Sequence, residues 1–342
     1  MMFRLLTAAL FLLAASPAPA QPRELTVVSR PGSWEEGLRD IYFRPFAAAA
    51  GIPVRAEEPW DGGIEALRAH AKQGDASWDV VLSEAATLHA ACDEGILEKL
   101  DWSAIGGKEH YLPQAVNECG VGAFLSATVL SWDREKFPGT PGWAEFWDVA
   151  KYPGKRGLFR GARGNLEFSL LADGVAPGDV YKQLRTNDGV ERAFRRLEQL
   201  RPYIVWWQSG TQAPQLLGSG EVLMTSAPNG RLFEANRLHG RNFGTQWAGS
   251  LTQVNFWGLI KGGPNLRQAQ QFLYFAGTSA IQARLLPYGG LAKGVLEAMP
   301  AEAQATAPIL PANLTGALAT DEAFWRENGA KLDQRFDAWL AR

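Results

Sequence analysis

The chain alternates between two hydrophobic rhythms. Short runs rich in Val, Ile, Leu and Trp occur at 24–29 (ELTVVS), 52–56, 78–82 (WDVVL), 155–159, 203–207 and 221–225, and read as strands. Between and after them, apolar residues at helical spacing predict helices at 34–50, 62–74, 87–95, 166–172, 180–184, 189–200, 265–275 and 279–286. Ser33 is placed to cap the first helix, Glu35 and Glu36 fill its first turn, and Gly51 ends it. An aromatic-rich helical turn follows at 142–149. A last helix at 321–340 sets Phe324, Leu332, Phe336 and Trp339 near one face. Strand–helix alternation of this kind predicts an α/β fold of doubly wound halves. Two longer apolar runs, 120–133 and 246–260, suit strands that cross from one half to the other.

The stretch 203–231 organises the rest. A buried strand (203–207) ends in the polar loop 208–212, an amphipathic segment follows, and a second apolar run stops at Ser226–Asn229. Ligands of open α/β sheets bind beyond the carboxyl ends of strands, where both polar loops fall. Trp206 and Trp207 stand beside the first; alternation along a strand turns one of them into the core and leaves the other to face the loop.

At 342 residues the chain exceeds what one core usually holds, so two domains are expected. Residues 1–20 read as a secretory signal: Arg4, an apolar stretch, then Ala18-Pro19-Ala20 as cleavage site. The apolar stretch is too short to anchor the chain in a membrane. Without it the chain carries 33 basic and 36 acidic residues, a net charge of −3. That balance, with no basic run, argues against nucleic acid or an anionic membrane as partner. In an exported chain, Cys92 and Cys119 are expected to form a disulfide. No His or Cys pair has metal-ligand spacing, and no G-x-G-x-x-G opens a helix, so neither metal nor nucleotide cofactor is expected.

Several segments, taken in order, resemble the periplasmic solute-binding proteins of ABC importers, in particular the spermidine/putrescine-binding group (extracellular solute-binding protein family 1). They are Trp78-Asp79-Val80-Val81-Leu82-Ser83 with Asp93-Glu94-Gly95-Ile96-Leu97-Glu98-Lys99-Leu100-Asp101, then Gly142-Trp143-Ala144-Glu145-Phe146-Trp147 with Tyr152-Pro153-Gly154-Lys155-Arg156-Gly157, and finally 218–222 with Asn229-Gly230. The resemblance spans the mature chain and implies the type II periplasmic-binding-protein fold, two doubly wound lobes with a central cleft and hinge crossovers. It divides the chain into a signal peptide at 1–20, lobe 1 at 21–127 plus 253–308, lobe 2 at 128–252, and a C-terminal helical segment at 309–342 packing on the lobes. It further implies a monomer in the periplasm that hands a small solute to an ABC permease in the inner membrane, without entering the membrane itself.

Carried over by position, Ser33 or Trp34, Ser83, Ser209 and Tyr288 fall on pocket positions of the group. Its carboxylate clamp does not carry over: Gly161–Gly164 supplies Gly and Arg where the group has acids, Phe256 replaces another carboxylate, and Pro228 and Val254 stand at aromatic positions. Arg163 offers a fork for a carboxylate and Glu84 a counter-charge for an ammonium, which together suit a zwitterion such as a short ω-amino acid. A salt bridge within a lobe accounts equally for Arg163, and a helix N-cap for Glu84. Trp34 and Trp207 are candidate aromatic walls. Asn165, Gln208, Ser209 and Asn229 are candidate polar contacts, or loop residues bonded to their own backbone. The expected function is thus importer-linked capture of an amine-bearing solute, polyamine-like or zwitterionic, with no catalytic residues. A secreted hydrolase is the enzymatic alternative, but no G-x-S-x-G occurs and no His lies in the polar loops. A ferric or other anion-binding protein is a further alternative, though no two tyrosines are adjacent.

Overall fold

The structure, a computed structural model, describes residues 24–29, 33–57, 63–74, 77–286 and 288–342, so the expected signal at 1–20 lies outside the described residues. β1 (Leu25–Val28) leads to α1 (Ser33–Leu38), which continues through a π-turn at Arg39–Phe43 into α2 (Arg44–Ala50). β2 (Val54–Glu57), α3 (Ile64–Gln73), β3 (Val80–Glu84) and α4 (Ala85–Asp93) complete the first half. Gly51 and Gly74, at φ of 68° and 63°, take the left-handed positions that end α2 and α3.

The long strand β4 (Gly120–Asp133) then opens the second half: α5 (Trp143–Trp147), β5 (Arg156–Phe159), α6 (Asn165–Ala172), α7 (Val180–Leu184), α8 (Asn187–Leu200), β6 (Ile204–Trp207), α9 (Gln212–Ser219), β7 (Met224–Pro228) and α10 (Asn229–Leu238). The longer strand β8 (Phe243–Leu259) returns to the first half, followed by α11 (Leu266–Ala276), α12 (Ser279–Gln282), α13 (Val295–Ala298), α14 (Ala301–Gln304) and α15 (Pro311–Leu314). β9 (Leu318–Ala319) and α16 (Glu322–Leu340) end the chain. Asp321 Oδ1 caps α16 by accepting from Phe324 N at 2.9 Å.

All strands join one nine-stranded mixed sheet in the order β2-β1-β3-β8-β4-β7-β5-β6, with β9 against β8. β1, β2 and β3 run parallel, as do β5, β6 and β7. β4 and β8 pair antiparallel along most of their length, with irregularities between Gly122/Phe124 and Thr128/Leu130. These two are the crossing strands expected from the apolar runs. Buried clusters divide accordingly. Two draw on residues up to Leu125 and on Phe256–Ile309, and two on Ala127–Leu251, one of the latter also taking Leu318–Trp339. The result is two lobes joined by one ribbon of β4 and β8.

Three expectations shift. The second apolar run enters the sheet at Met224 rather than at residue 221, because Gly220 (φ 77°) caps α9 and Glu221 N bonds back to Ser219 Oγ at 3.3 Å. Ser226–Asn229 is therefore the strand's end and the start of α10, not a loop, and α10 has no counterpart in the sequence reading. α4 begins directly at Ala85, with Glu84 serving as both last strand residue and N-cap position.

Candidate functional site

Ser83 and Phe256 are direct cross-strand partners on β3 and β8, so their side chains leave the sheet on one face. Ser83 Oγ is buried and has no hydrogen-bond partner among the described residues. From the other lobe, the turn between β5 and α6 carries Arg163, whose Nη2 lies 3.1 Å from Glu322 Oε2 and whose guanidinium sits 5.4 Å from the Trp325 ring centre. Glu322 stands in the first turn of α16, its side chain 10% exposed. Its other oxygen, Oε1, is buried without a partner among the described residues, as is Thr320 Oγ1 beside it. Burial pushes the Glu322 carboxyl above the usual carboxylate range; Arg163 opposes that, and the Glu84 carboxylate reinforces it.

Glu322 and Thr320 wall a cavity of about 430 Å³ whose floor is the hinge ribbon at Leu125, Val254 and Phe256. The Glu84 carboxylate and the Arg163 guanidinium both act on Glu322, which alone of the three lines the cavity. Such a set can take an ammonium on the acids and a carboxylate on the fork. His89 closes the far side, its Nε2 2.9 Å from Asn117 Nδ2; burial and the nearby Arg326 hold its pKa down. Among the described residues no group of three His, Cys, Asp or Glu could hold a metal ion.

The opposite side of the ribbon brings Tyr288 of the first half against Gly230 of α10, with its ring 5.2 Å from that of Phe124. Burial raises the Tyr288 hydroxyl pKa. Asn229 Oδ1 accepts from Ala127 N at 3.1 Å and so fixes the start of α10 to the crossing strand β4.

The remaining sequence candidates scatter. Asn165 is buried and its Nδ2 donates to the Phe159 and Gly161 carbonyls at 2.6 and 2.7 Å, which shapes the Arg163 turn. Trp207 is buried against Phe159, ring centres 5.1 Å apart, while Trp206 packs on Phe336 and Trp339 of α16. Gln208 and Ser209 are exposed; their backbone N–H groups donate to Gln212 Oε1, and Ser209 Oγ lies 3.0 Å from Thr211 Oγ1. The Trp34 backbone belongs to α1, but its side chain lies outside the described residues. Glu322 and Thr320 have no counterpart among the sequence candidates. An acid in the first turn of a helix reads as a partner of the helix dipole, so nothing local sets Glu322 apart.

Cys92 and Cys119 are bonded, with Cα atoms 5.8 Å apart. No helix among the described residues is long and apolar enough to cross a membrane.

Two lobes on a pair of crossing strands, with a charged cavity at their junction, define a solute-binding protein of the hinged kind. The chain belongs to the bacterial extracellular solute-binding protein family, whose profile matches residues 42–312, and it is a substrate-binding protein of an ABC transporter, not an enzyme. It is 42% identical over 332 residues to the gamma-aminobutyric acid-binding protein of Pseudomonas aeruginosa, covering 96% of this chain and 94% of that one. Its fold is similar to an ABC transporter substrate-binding protein from Bradyrhizobium japonicum (30% identity, TM-score 0.83, 93% of this chain and 99% of the other). It is also similar to a solved GABA receptor (28% identity, TM-score 0.83, 94% and 98%).

Proposed function

We propose that the solute is a short ω-amino acid of the gamma-aminobutyric acid kind, held with its ammonium between Glu84 and Glu322 and its carboxylate on Arg163. The observation that carries this is the Glu322 carboxylate, one oxygen on Arg163 and the other buried without a partner among the described residues, under the field of Glu84. The similarity to a gamma-aminobutyric acid-binding protein supports the same ligand class. A diamine would leave Arg163 facing a second ammonium, which the charge pattern disfavours. Ser83 and Phe256 complete the proposed surroundings, and Trp34 of the first helix remains a candidate wall; Trp207, packed on Phe159, and Asn229 and Tyr288, on the α10 side of the ribbon, stand outside them.

Lobe 1 comprises 21–127 and 253–308, lobe 2 comprises 128–252, and 309–342 packs on both; the division of the buried clusters supports these limits. Residues 1–20 are a cleaved signal, and the mature chain works in the periplasm as a monomer that meets its permease at the inner membrane. Titration calorimetry on mature protein with gamma-aminobutyric acid, 5-aminopentanoate and putrescine tests the ligand. Binding of the amino acids in preference to putrescine is expected. Putrescine binding with no response to either amino acid would overturn it.

A further inference from the structure

On the sheet face that carries α10 lies a larger cavity, of about 680 Å³, bounded by both lobes. Phe233 of α10 and Trp247 of β8 form one wall, and Leu286, Pro300 and Ala303 the other. Among the described residues it shares no lining residue with the Glu322 cavity, which lies among α4, β9 and α16. Its volume falls in the range of small-molecule sites, roughly 300–1,000 Å³, and its lining has their character, apolar surface with a few polar groups. Phe233 and Trp247 are half-buried and offer flat apolar faces.

The charged lining among the described residues is Arg134 and Arg237, with no carboxylate. Arg134 is engaged: its Nη1 donates to Phe243 O at 3.1 Å and to Asn242 Oδ1 at 3.4 Å. The Asn236 amide is engaged as well, both donating to and accepting from the Phe243 backbone. The Arg237 guanidinium lies 5.9 Å from the Phe233 ring centre and pairs with no acid among the described residues. A cation at the rim of an aromatic-walled cavity without acids among its described residues selects an anion with a flat apolar body.

We propose that this cavity is a second small-molecule site, for an aromatic carboxylate, with Arg237 receiving the carboxylate and Phe233 and Trp247 the ring. An occupant there touches both lobes and therefore shifts the hinge equilibrium, so that its binding and that of the solute at Glu322 change each other's affinity by one common factor. The site goes beyond the ω-amino acid reading and does not depend on it.

The probe is phenylacetate, with 2-phenylethylamine as its cationic match, titrated calorimetrically into the mature protein. The expected result is binding of phenylacetate in preference to the amine, at least tenfold weaker in Arg237→Glu and largely retained in Arg237→Lys. Arg237 is exposed, so neither variant threatens the fold. No binding of phenylacetate by about 10 mM, equal binding of the amine, or an unchanged affinity in Arg237→Glu would each overturn the site. A gamma-aminobutyric acid affinity that saturating phenylacetate leaves unmoved would overturn the coupling. If gamma-aminobutyric acid does not bind at all, the phenylacetate arm still reads the second site by itself.

Discussion

Arg163 Nη2 lies 3.1 Å from Glu322 Oε2, joining the turn after β5 to the first turn of α16. The second carboxylate oxygen is buried with no partner among the described residues, so the pair is half-completed in a way that a ligand ammonium would finish. Glu322→Gln keeps the shape and removes the charge. Losing one member of a buried, hydrogen-bonded charge pair costs about 2–3 kcal/mol, so the ω-amino acid should bind roughly 30- to 150-fold more weakly by calorimetry. The thermal midpoint of the ligand-free variant separates a binding defect from a folding defect. An unaltered Kd would take Glu322 out of the site.

The same carboxyl sets a pH signature. Burial raises its pKa above the ordinary glutamate value of 4.5, and the nearby Glu84 raises it further. An ammonium needs the ionised form, so affinity should climb as pH rises from the ordinary value through the raised one, then level off. The contribution of Glu322 to ligand-free stability runs the other way. The folded state keeps its proton where the unfolded chain has lost it, so stability falls across that window. Calorimetry and thermal midpoints from about pH 4 to about pH 8, compared between wild type and Glu322→Gln, read both slopes. Identical profiles in the two proteins would contradict the assignment.

The disulfide can be removed without touching the cavity's charged groups. Cys92 and Cys119 lie 27 positions apart and tie the end of α4 to the segment entering β4. In the chain-entropy model such a loop contributes about 3–4 kcal/mol. Cys92→Ser with Cys119→Ser should lower the denaturant midpoint by a corresponding amount and leave ligand affinity nearly unchanged, because β3 holds the other end of α4. An unshifted midpoint would show that the unfolded chain gains little freedom from the cut.

The fold was legible where one rhythm dominates. The run 120–133 coincides with β4, and the final helix begins within a residue of its observed start. It was illegible where a strand's end and a helix's start share polar residues. Ser226 is buried in β7 and Asn229 opens α10, yet both belong to residue types that favour turns. The local sequence brought out Glu84 and Arg163 because they follow strands. Glu322 lies 159 positions beyond Arg163 in sequence and meets it only through the docking of α16 on the second lobe, a tertiary fact with no local signal. Asn165 shows the converse: a polar residue at a promising position whose amide is used by the Phe159 and Gly161 carbonyls.

Gly230 is a glycine for want of room, not for backbone freedom. It lies within α10, and a Cβ there would collide with the Tyr288 hydroxyl and ring. α10 belongs to one lobe and Tyr288 to the other, so Gly230→Ala inserts a wedge between them close to the hinge. Overpacking of this kind costs about 1–3 kcal/mol. If the liganded state needs the contact, affinity for the solute should fall roughly 5- to 150-fold, and scattering should give a larger radius of gyration with ligand present. The wedge acts through one side chain, which makes the inference separable by a double-mutant cycle. In a Tyr288→Ala background the three atoms nearest the added methyl are gone, so Gly230→Ala should there cost almost nothing further. Equal penalties in both backgrounds would mean that the methyl disturbs α10 itself, and the contact between Gly230 and Tyr288 would have no part in closing the lobes.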